Sequence, residues 1–174
     1  MKYYPVFWNI TGKKCVVIGG GEVAQRKIVR LIECGANVLV ISPTLTSALA
    51  ALKDNNKITH IAGEYAPEHI ADAALVIGAT DDDAINAAVS RDARARRITV
   101  NIVDDPQKCD FILPSLVERG DLTIAVGTAG NSPALARYLR EEMEKTYGEE
   151  YTVFTHILGQ LRAKMEKNAE TGKR

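Results

Sequence analysis

The sequence lacks the features that mark several common classes of protein. Its 174 residues carry 22 basic and 22 acidic side chains, so it has none of the basic surplus that is usual in nucleic-acid-binding domains. Acidic small molecules remain possible ligands, because local basic clusters can exist within a neutral total. No apolar run is long enough to span a bilayer, and residues 1–8 are too short and too aromatic for the apolar segment of a signal peptide. The composition favours a globular protein that binds neither nucleic acid nor membrane.

Cysteine and histidine are also scarce, and neither residue type has the spacing of a disulfide framework or a metal site. The cysteines are far apart and form no C-x-x-C pair, which predicts reduced thiols in a cytoplasmic protein, without a disulfide framework or a structural zinc. The histidines have no metal-ligand spacing, so no metal site is predicted. The sequence also lacks a Ser/His/Asp constellation and a nucleophile elbow. The scarce residues are Cys15, Cys34, Cys109, His60, His69 and His156.

Apolar runs and amphipathic segments alternate along the first part of the chain. This alternation predicts a parallel sheet with right-handed crossovers, so the expected fold class is α/β, with a Rossmann-like NAD-binding domain over residues 1–113. The segment 37–42 is apolar throughout, which predicts burial on both faces, whereas 57–62 is expected at the periphery. The predicted strands are 14–19, 37–42, 57–62, 74–78 and 98–103, and the predicted helices are 21–34, 48–53 and 82–97.

The pattern changes after residue 113. Residues 116–118 and 122–127 flank a turn and predict a hairpin. Ser132 is expected to cap a helix that Gly148 ends, and a last helix follows, with a polar tail after Lys167 that is expected to fray. The two apolar stripes are Leu135, Ala136, Leu139 and Met143 on the first helix, and Val153, Phe154, Ile157, Leu158, Leu161 and Met165 on the second.

A hairpin and two helices are too small to build an independent core. We therefore expect them to pack against the first domain or against a second copy of the chain. We favour a homodimer, with residues 114–147 as the dimerisation region and residues 148–174 as a C-terminal helical segment, because two-fold homo-oligomers are common. The alternative is that these elements cap the sheet of one monomer.

A glycine-rich run joins the first strand to the first helix and is the most informative motif. Gly19 permits a tight turn, Gly21 lets the backbone approach a pyrophosphate, and Ala24 keeps the helix close to the strand. The helix directs its unpaired N–H groups and its positive dipole end at the phosphates. The motif predicts a dinucleotide site, and the alternative is a purely structural strand–helix turn.

The second strand ends in Ser42-Pro43-Thr44, where many NAD-binding folds have an acidic residue. No arginine is present to bind a 2′-phosphate either, so these residues leave the choice between NAD and NADP open. Ser42 and Thr44 are candidate hydrogen-bond donors to the ribose. The alternative is that the segment supplies the N-cap of the next helix, and both roles can hold together.

Two further segments leave strands at the edge of the sheet where ligands bind in this architecture. Residues 78–83 include Thr80, a candidate cofactor contact, and aspartates whose simpler role is to cap the next helix. Residues 101–106 include Asp104, a candidate general base near a bound nicotinamide. The alternative for Asp104 is a turn-forming role, which is common for Asp near Pro.

A second glycine-rich loop, residues 127–132, precedes the helix that begins at Pro133. Thr128, Asn131 and Ser132 of this loop, with Arg137 on the helix, are candidates to bind substrate carboxylates. Arg140, Lys108 and Arg119 are nearby in sequence. The alternative is an ordinary capped helix start with solvated arginines.

Taken together, these motifs resemble the precorrin-2 dehydrogenase family, which also forms the N-terminal half of bacterial sirohaem synthases. The resemblance spans nearly the whole chain, and the order of the motifs makes it specific. The matching stretches are Tyr4-Pro5-Val6-Phe7, Cys15-Val16-Val17-Ile18-Gly19-Gly20-Gly21-Glu22-Val23-Ala24-Gln25-Arg26-Lys27, Ala79-Thr80-Asp81-Asp82, Asn101-Ile102-Val103-Asp104, Phe111-Ile112-Leu113-Pro114-Ser115 and Ser132-Pro133-Ala134-Leu135-Ala136-Arg137.

The resemblance implies NAD-dependent oxidation of precorrin-2, a polycarboxylate tetrapyrrole, to sirohydrochlorin. In many relatives the same site then inserts ferrous iron, here a transient substrate, to give sirohaem. The resemblance also implies that Glu22-Val23 and Pro43-Thr44 contact NAD, that Asp104 is catalytic, and that the protein is a homodimer with its active site near the dimer interface.

Two departures from the family pattern bear on the activity. The C-terminal helical region is shorter than in several relatives, which leaves ferrochelatase activity and metal preference open. The sequence has no methyltransferase segment, so another protein is expected to supply precorrin-2. The alternative functions are a non-catalytic NAD-sensing module and a chelatase without dehydrogenase activity.

Overall fold

The computed structural model describes residues 3–171, which form two compact units divided between Ile112 and Leu113. The first unit is a parallel five-stranded sheet in the order β3-β2-β1-β4-β5, with helices between the strands. This architecture confirms the predicted Rossmann-like α/β fold. Its elements are β1 (Lys14–Ile18), α1 (Glu22–Glu33), β2 (Asn37–Ser42), α2 (Ser47–Asp54), β3 (Thr59–Ala62), β4 (Leu75–Gly78), α3 (Asp83–Ala95) and β5 (Thr99–Ile102).

The core of the first unit lies on both faces of the sheet. On one face Val17 of β1, Val40 of β2 and Ile77 of β4 pack with Ala24 and Ile28 of α1. The opposite cluster contains β-strand and α3 residues, namely Val16, Ile18, Val76, Val89, Ala93 and Val100. Alternate residues of each central strand therefore point to different buried clusters, which explains why β1, β2 and β4 are apolar without interruption.

Several elements are shorter than the sequence predicts, and left-handed backbone conformations explain two of the differences. Asn56 has φ 56°, and the amide of Lys57 donates to Leu52 O at 2.9 Å, so these residues end α2 and β3 begins only at Thr59. Arg97 has φ 57° and ends the turn after α3, which stops at Ala95. β3 is an edge strand and mostly exposed, as predicted.

The second unit is a hairpin followed by two helices. β6 (Ser115–Arg119) and β7 (Leu122–Val126) pair antiparallel, α4 spans Pro133–Thr146, and α5 spans Glu150–Thr171. Ser132 caps α4 by accepting a hydrogen bond from Leu135 N at 3.2 Å, which confirms the predicted helix start. α5 continues past Lys167, where a frayed tail was expected. Residues 1–2 of the aromatic N-terminal stretch and residues 172–174 of the tail lie outside the described residues.

The helices of the second unit leave most of their apolar side chains exposed. In α4 only Ala136 is buried, whereas Leu135 and Leu139 are 47% and 36% exposed. The exposed fractions on α5 are 60% for Val153, 53% for Phe154, 47% for Ile157, 47% for Leu158, 50% for Leu161 and 71% for Met165. An apolar surface of this extent on one helix is typical of an interaction surface.

The scarce residue types behave simply in the structure. Cys15, Cys34 and Cys109 are all free thiols. Burial raises the pKa of the Cys15 thiol to about 11. Among residues 3–171, no helix combines the length and apolar content that a bilayer crossing demands.

Candidate active site

The turn after β1 is shaped by glycines that have no room for a side chain. Gly19 has φ 124°, and a Cβ atom there would collide with the carbonyl oxygen of Ala79. At Gly20 a Cβ would collide with the carbonyl oxygen of Thr44 and lie 2.5 Å from Ser42 Oγ. The sequence reading assigned no role to Gly20, although three consecutive glycines were the signal. The loops after β1, β2 and β4 therefore meet through backbone contacts that only glycine permits.

The N-terminus of α1 has no side-chain cap and has free space around its first residue. Its N-cap, Gly21, makes no side-chain capping hydrogen bond, and a Cβ at Gly21 would meet no atom within 4 Å. The first bond of the helix runs from Gln25 N to Gly21 O at 2.9 Å, so the amides of Glu22, Val23 and Ala24 precede it. These amides and the open space over Gly21 fit the pyrophosphate of a dinucleotide.

The loop after β2 distributes its roles differently from the prediction. Ser42 is only 4% exposed, and its hydroxyl donates to Thr44 O at 2.8 Å. His60 Nε2 lies 3.0 Å from Ser42 O and 3.3 Å from Ser42 Oγ. The hydroxyl of Ser42 therefore stabilises the loop and is not available to donate to a ribose. Pro43 and Thr44 are the residues exposed at this edge.

The helix after this loop is capped by Thr46, not by Ser42, Pro43 or Thr44. Thr46 Oγ1 accepts from Leu49 N at 3.3 Å and donates to Gln25 Oε1 at 2.6 Å. The capping role proposed for the Ser-Pro-Thr segment is therefore wrong. The bond from Thr46 to Gln25 joins the start of α2 to the flank of α1 that faces β2.

The loop after β4 is held by its own side chains. Thr80 Oγ1 accepts from Asp82 N at 3.1 Å and lies 3.3 Å from Asn86 Oδ1. Asp82 caps α3 by accepting from Ala84 N at 2.8 Å and from Ile85 N at 3.0 Å. The capping role predicted for the aspartates is thus confirmed, and the hydroxyl of Thr80 is used within the loop.

Asp104 lies just beyond β5 and is exposed, with a left-handed φ of 61°. Asp104 does form part of a turn, as the alternative predicted, because Asp105 N donates to Ile102 O at 3.3 Å across Val103 and Asp104. Its neighbour Asp105 starts the next turn by accepting from Gln107 N at 3.2 Å. Asp105 also pairs with Lys108 Nζ at 2.6 Å, and the hydrogen bond from Lys108 is the main reason that the pKa of Asp105 is lowered. Asp104 itself is exposed.

A cysteine that the sequence reading left without a role fixes the loop that carries Asp104. Cys109 Sγ lies 3.1 Å from the carbonyl oxygens of both Ile102 and Asp105, and it accepts from Ile102 N at 3.2 Å. Asn101 Nδ2 also donates to this sulfur at 3.4 Å. One half-buried thiol thus joins the residues on both sides of Asp104. No sequence motif signals such a role for a lone cysteine.

The register of the sheet puts the first-unit candidates along one edge. Ile18 pairs with Gly78, and Gly78 pairs with Ile102, so the three strands end at the same level. The glycine turn, the Thr80 loop and Asp104 follow these strand ends directly. The carboxyl edge of β1, β4 and β5 therefore holds both the uncapped start of α1 and an exposed carboxylate.

In the second unit, Thr128, Asn131 and Ser132 lie together in one loop. Thr128 Oγ1 donates to Ser132 O at 3.0 Å and accepts from Ser132 N at 3.1 Å, so its hydroxyl serves the loop itself. Ala129 and Gly130 have φ of 53° and 85°, and the side chain of Asn131 is exposed. The loop is compact, and the helix behind it already has a cap.

The basic residues predicted near this loop are paired with acidic residues. Arg137 lies 3.0 Å from Glu141, Arg140 lies 2.5 Å from Glu144, and Arg119 lies 3.3 Å from Glu149. Lys108 pairs with Asp105 in the first unit. Within the described part of the chain, no group of three or more His, Cys, Asp or Glu side chains is arranged to hold a metal ion.

Comparison with known families accounts for most of the chain in two segments. A family described as putative NAD(P)-binding matches residues 6–115. A second family, described as sirohaem biosynthesis protein central, matches residues 119–146. The first match covers most of the first unit and runs a few residues past Ile112, and the second match lies within the second unit.

Curated relatives extend the similarity over almost the full sequence. The chain is 41% identical over 172 residues to a siroheme synthase of Methylobacillus flagellatus, which is 99% of this chain and 37% of that protein. It is 38% identical over 167 residues to a siroheme synthase of Photobacterium profundum, which is 96% of this chain and 36% of that protein. The chain thus spans a little over a third of the length of these relatives.

A solved structure shares the architecture of the chain. The structure of SirC, precorrin-2 dehydrogenase, matches with a TM-score of 0.80 and 26% identity, over 92% of this chain and 79% of that one. The comparison confirms the fold class predicted from the sequence, and the resemblance on which the functional expectation rests.

Proposed function

We propose that this chain, which belongs to the family described as putative NAD(P)-binding, catalyses the NAD-dependent dehydrogenation of precorrin-2 to sirohydrochlorin in sirohaem biosynthesis. The siroheme synthase relatives and the SirC structure support this substrate. The observation that carries the proposal is the shared edge of β1, β4 and β5, where the uncapped α1 and Asp104 occur together.

The residues of the first unit divide the work of binding. The amides at the start of α1, including those of Glu22 and Val23, would hold the pyrophosphate, and Gly21 leaves it room. Pro43 and Thr44 would contact the adenosine end of the cofactor, with Ser42 and His60 supporting their loop. When bound, NAD would supply the hydride acceptor for the two electrons that the macrocycle loses.

Asp104 performs the complementary half of the reaction. Dehydrogenation removes a hydride and a proton, and the carboxylate of Asp104 accepts the proton as the C–H or N–H bond of the substrate breaks. Its exposure and its position beyond β5 make it accessible to a ring-shaped substrate. The bonds of Cys109 to Ile102 and Asp105 hold the loop on both sides of this carboxylate.

The central test is the Asp104→Asn variant, assayed with precorrin-2 and NAD by following the absorbance spectrum. Turnover should fall by about 10²–10⁴, the usual contribution of a general base, while the Kd for NAD stays unchanged. Asp81→Asn is the matched control, because Asp81 is exposed in the loop after β4 and should be dispensable. Normal turnover by Asp104→Asn would remove Asp104 from the mechanism.

The same assay separates the alternative functions. A wild-type protein that binds NAD but leaves precorrin-2 unchanged would be a sensing module. A protein that inserts ferrous iron into sirohydrochlorin without oxidising precorrin-2 would be a chelatase. Adding ferrous iron after complete oxidation, and looking for a second spectral change, tests whether one chain performs both steps.

The loop of residues 127–132 supports a role in substrate binding, with Thr128 and Ser132 shaping the loop and Asn131 presenting an amide. Arg137, one turn into α4, would contribute charge in competition with Glu141. Asn131→Asp should raise the KM for precorrin-2 more than Asn131→Ala, because the new carboxylate repels the acidic side chains of the substrate. Equal KM values in both variants and the wild type would exclude Asn131 from the site.

The exposed apolar side chains of α5 support a homodimer. Ile157→Glu should shift the chain toward the monomer in analytical ultracentrifugation, since it buries a charge in the proposed interface. Lys164→Glu changes the charge of the same helix at an exposed polar position and should leave the dimer intact. A wild-type monomer would contradict this assignment. The free thiols support the expected cytoplasmic location.

A further inference from the structure

β5 is an edge strand, and within residues 3–171 it pairs with a strand on its inner side alone, where β4 lies. Val103 N, just beyond β5, donates to Gly78 O of β4 at 2.9 Å. Because the backbone groups of successive residues alternate in direction, Val100 and Ile102 direct their N–H and C=O groups to the outer side. Both residues are buried, so these groups need partners.

The segment that follows the Asp104 turn folds back and supplies these partners. Asp110 N donates to Val100 O at 2.8 Å, and the Asp110 carboxylate accepts from Val100 N at 3.2 Å. Cys109 Sγ lies 3.1 Å from Ile102 O and accepts from Ile102 N at 3.2 Å. Two consecutive residues therefore satisfy the outer edge of β5 in place of a sixth strand. Each uses its side chain for bonds that a strand would make with its backbone.

Helix α3 holds this segment from the other side. Arg94 Nε donates to the Asp110 carboxylate at 3.2 Å, and Arg94 Nη2 donates to Gln107 O at 3.2 Å. Ser90, which is buried on α3, donates from its Oγ to Lys108 O at 3.1 Å. The cysteine between these anchored residues is therefore a fixed point against which the preceding turn is held.

The turn that carries Asp104 is bonded to this thiol at both of its ends. Asp105 N donates to Ile102 O at 3.3 Å across the turn. Cys109 Sγ lies 3.1 Å from Ile102 O and 3.1 Å from Asp105 O, so the thiol proton can reach either carbonyl. Between them Asp104 has a φ of 61°, a left-handed conformation that persists where the surrounding structure imposes it.

The thiol keeps the proton that these bonds need. Cys109 is half-buried and packs on the cluster that includes Ile102. Burial is the main cause that raises the pKa of its thiol, and the nearby carboxylates of Asp105 and Asp110 add to it. The hydrogen bond from Ile102 N and the charge of Arg94 oppose this increase in pKa without reversing it. At neutral pH the sulfur is therefore a donor as well as an acceptor.

We propose that Cys109 is a positioning residue for the dehydrogenation, whose protonated thiol closes the outer edge of β5 and fixes the turn that presents Asp104 to the substrate. The proposal rests on the proposed function through the role of Asp104 as base. Cys109 takes up neither the proton nor the hydride that is transferred, and its thiol is unchanged over a turnover. Loss of its hydrogen bonds should therefore lower kcat and leave substrate and cofactor binding nearly unchanged.

The first test needs neither substrate nor cofactor. In nitrogen-15-labelled protein, hydrogen exchange of the Ile102 amide is followed by NMR. In Cys109→Ala the exchange should be faster by about tenfold, because this amide loses its sulfur acceptor. The Val100 amide is the internal control, since it keeps the Asp110 carboxylate. An unchanged Ile102 amide, or an equal acceleration at Val100 from general destabilisation, would overturn the proposal.

The second test compares three replacements of Cys109 in the assay with precorrin-2 and NAD. Cys109→Ala removes the bonds and leaves a cavity, Cys109→Val removes the bonds and fills the space, and Cys109→Ser keeps a donor and an acceptor. In the alanine and valine variants kcat should fall by about 10–100-fold, because the base is misplaced. The KM for precorrin-2 and the Kd for NAD should change by less than about twofold. Cys109→Ser should recover most of kcat.

Cys34→Ala is the matched control, because Cys34 is an exposed free thiol of the same unit, and it should behave like the wild type in both tests. Recovery of kcat by Cys109→Val would assign the effect to packing and overturn the proposal, as would a wild-type kcat in Cys109→Ala. Full turnover by Asp104→Asn would instead defeat the proposed role of Asp104. In that case the exchange rate of the Ile102 amide still reports whether the thiol holds the edge of β5.

Discussion

Two helices of this protein begin after a glycine-rich loop, and they differ in whether a side chain caps the unpaired N–H groups of the first turn. α4 uses its own chain, because Ser132 accepts from Leu135 N and Thr128 ties the loop to Ser132. α1 uses Gly21, which makes no side-chain capping bond and leaves open space above it. Glycine at the N-cap costs a helix only about a few tenths of a kcal/mol relative to a side-chain cap, and it leaves the amides of the first turn available to a bound anion.

The comparison shows that a glycine-rich loop before a helix does not identify a ligand site by itself. The two loops read alike in sequence, since both place small residues before an amphipathic helix. They differ in whether a serine, threonine or aspartate occupies the N-cap. The N-cap is glycine in α1, Ser132 in α4 and Asp82 in α3. The start of α1 is therefore the helix start that fits a phosphate.

Gly20→Ala should have the largest effect on this comparison. Its Cβ would collide with the Thr44 carbonyl, which is backbone and cannot rotate away. Overpacking of this kind costs about 3 kcal/mol, so the variant should unfold at lower denaturant concentration and lose NAD binding. Gly127→Ala in the second loop is the control, because its Cβ would meet no atom within 4 Å. Equal stability of the two variants would show that the first loop is not tightly packed.

Gly21→Asp converts the first helix start into the second type. With φ −84° and ψ −174°, Gly21 already has the extended backbone of an N-cap, so an aspartate can cap α1 without strain. The Tm should be unchanged or slightly higher. The affinity for NAD should fall by about a hundredfold, roughly 2.7 kcal/mol, because the carboxylate occupies the amides and repels phosphate. Calorimetric titration measures the affinity, and undiminished binding would place the pyrophosphate elsewhere.

Ser132→Ala should have the smallest effect of the three. It removes the cap of α4 and should cost about 1 kcal/mol in the free energy of unfolding, measured by denaturant titration. Asp82→Ala removes the cap of α3 and is expected to cost a similar amount. Neither variant should alter the Kd for NAD. A change in that Kd for Ser132→Ala would contradict the assignment of the cofactor to α1 alone.

The strands and helices of the first unit could be predicted from the sequence because burial on two faces produces unbroken apolar runs such as Val38–Ile41. The element ends were less predictable, since residues like Asn56 and Arg97 adopt left-handed conformations that composition does not signal. In the second unit the helix start at Ser132 was predictable from Ser-Pro. What covers α5 depends on tertiary or quaternary packing that a sequence pattern does not determine.

The candidate site was predicted at the level of loops rather than of individual hydroxyls. The positions of Gly19, Gly21 and Asp104 could be predicted because each follows a strand of the parallel sheet, and because the first turn requires glycine. Ser42 and Thr80, by contrast, use their hydroxyls inside their own loops, which depends on distances of about 3 Å that no spacing rule gives. Cys109 was missed because its bonds to Ile102 and Asp105 form only when the loop after β5 folds back on the end of that strand.

The left-handed backbone of Asp104 limits which side chains can take its place. Aspartate, asparagine and glycine accept this conformation readily, whereas glutamate pays about 1 kcal/mol in strain and extends its carboxylate one methylene further. The replacement that keeps the charge is therefore the one that distorts the loop, and the replacement that deletes the charge leaves the chain path intact. A substitution that retains the carboxylate strains the backbone, and one that retains the backbone conformation removes the carboxylate. Only aspartate provides both at this position.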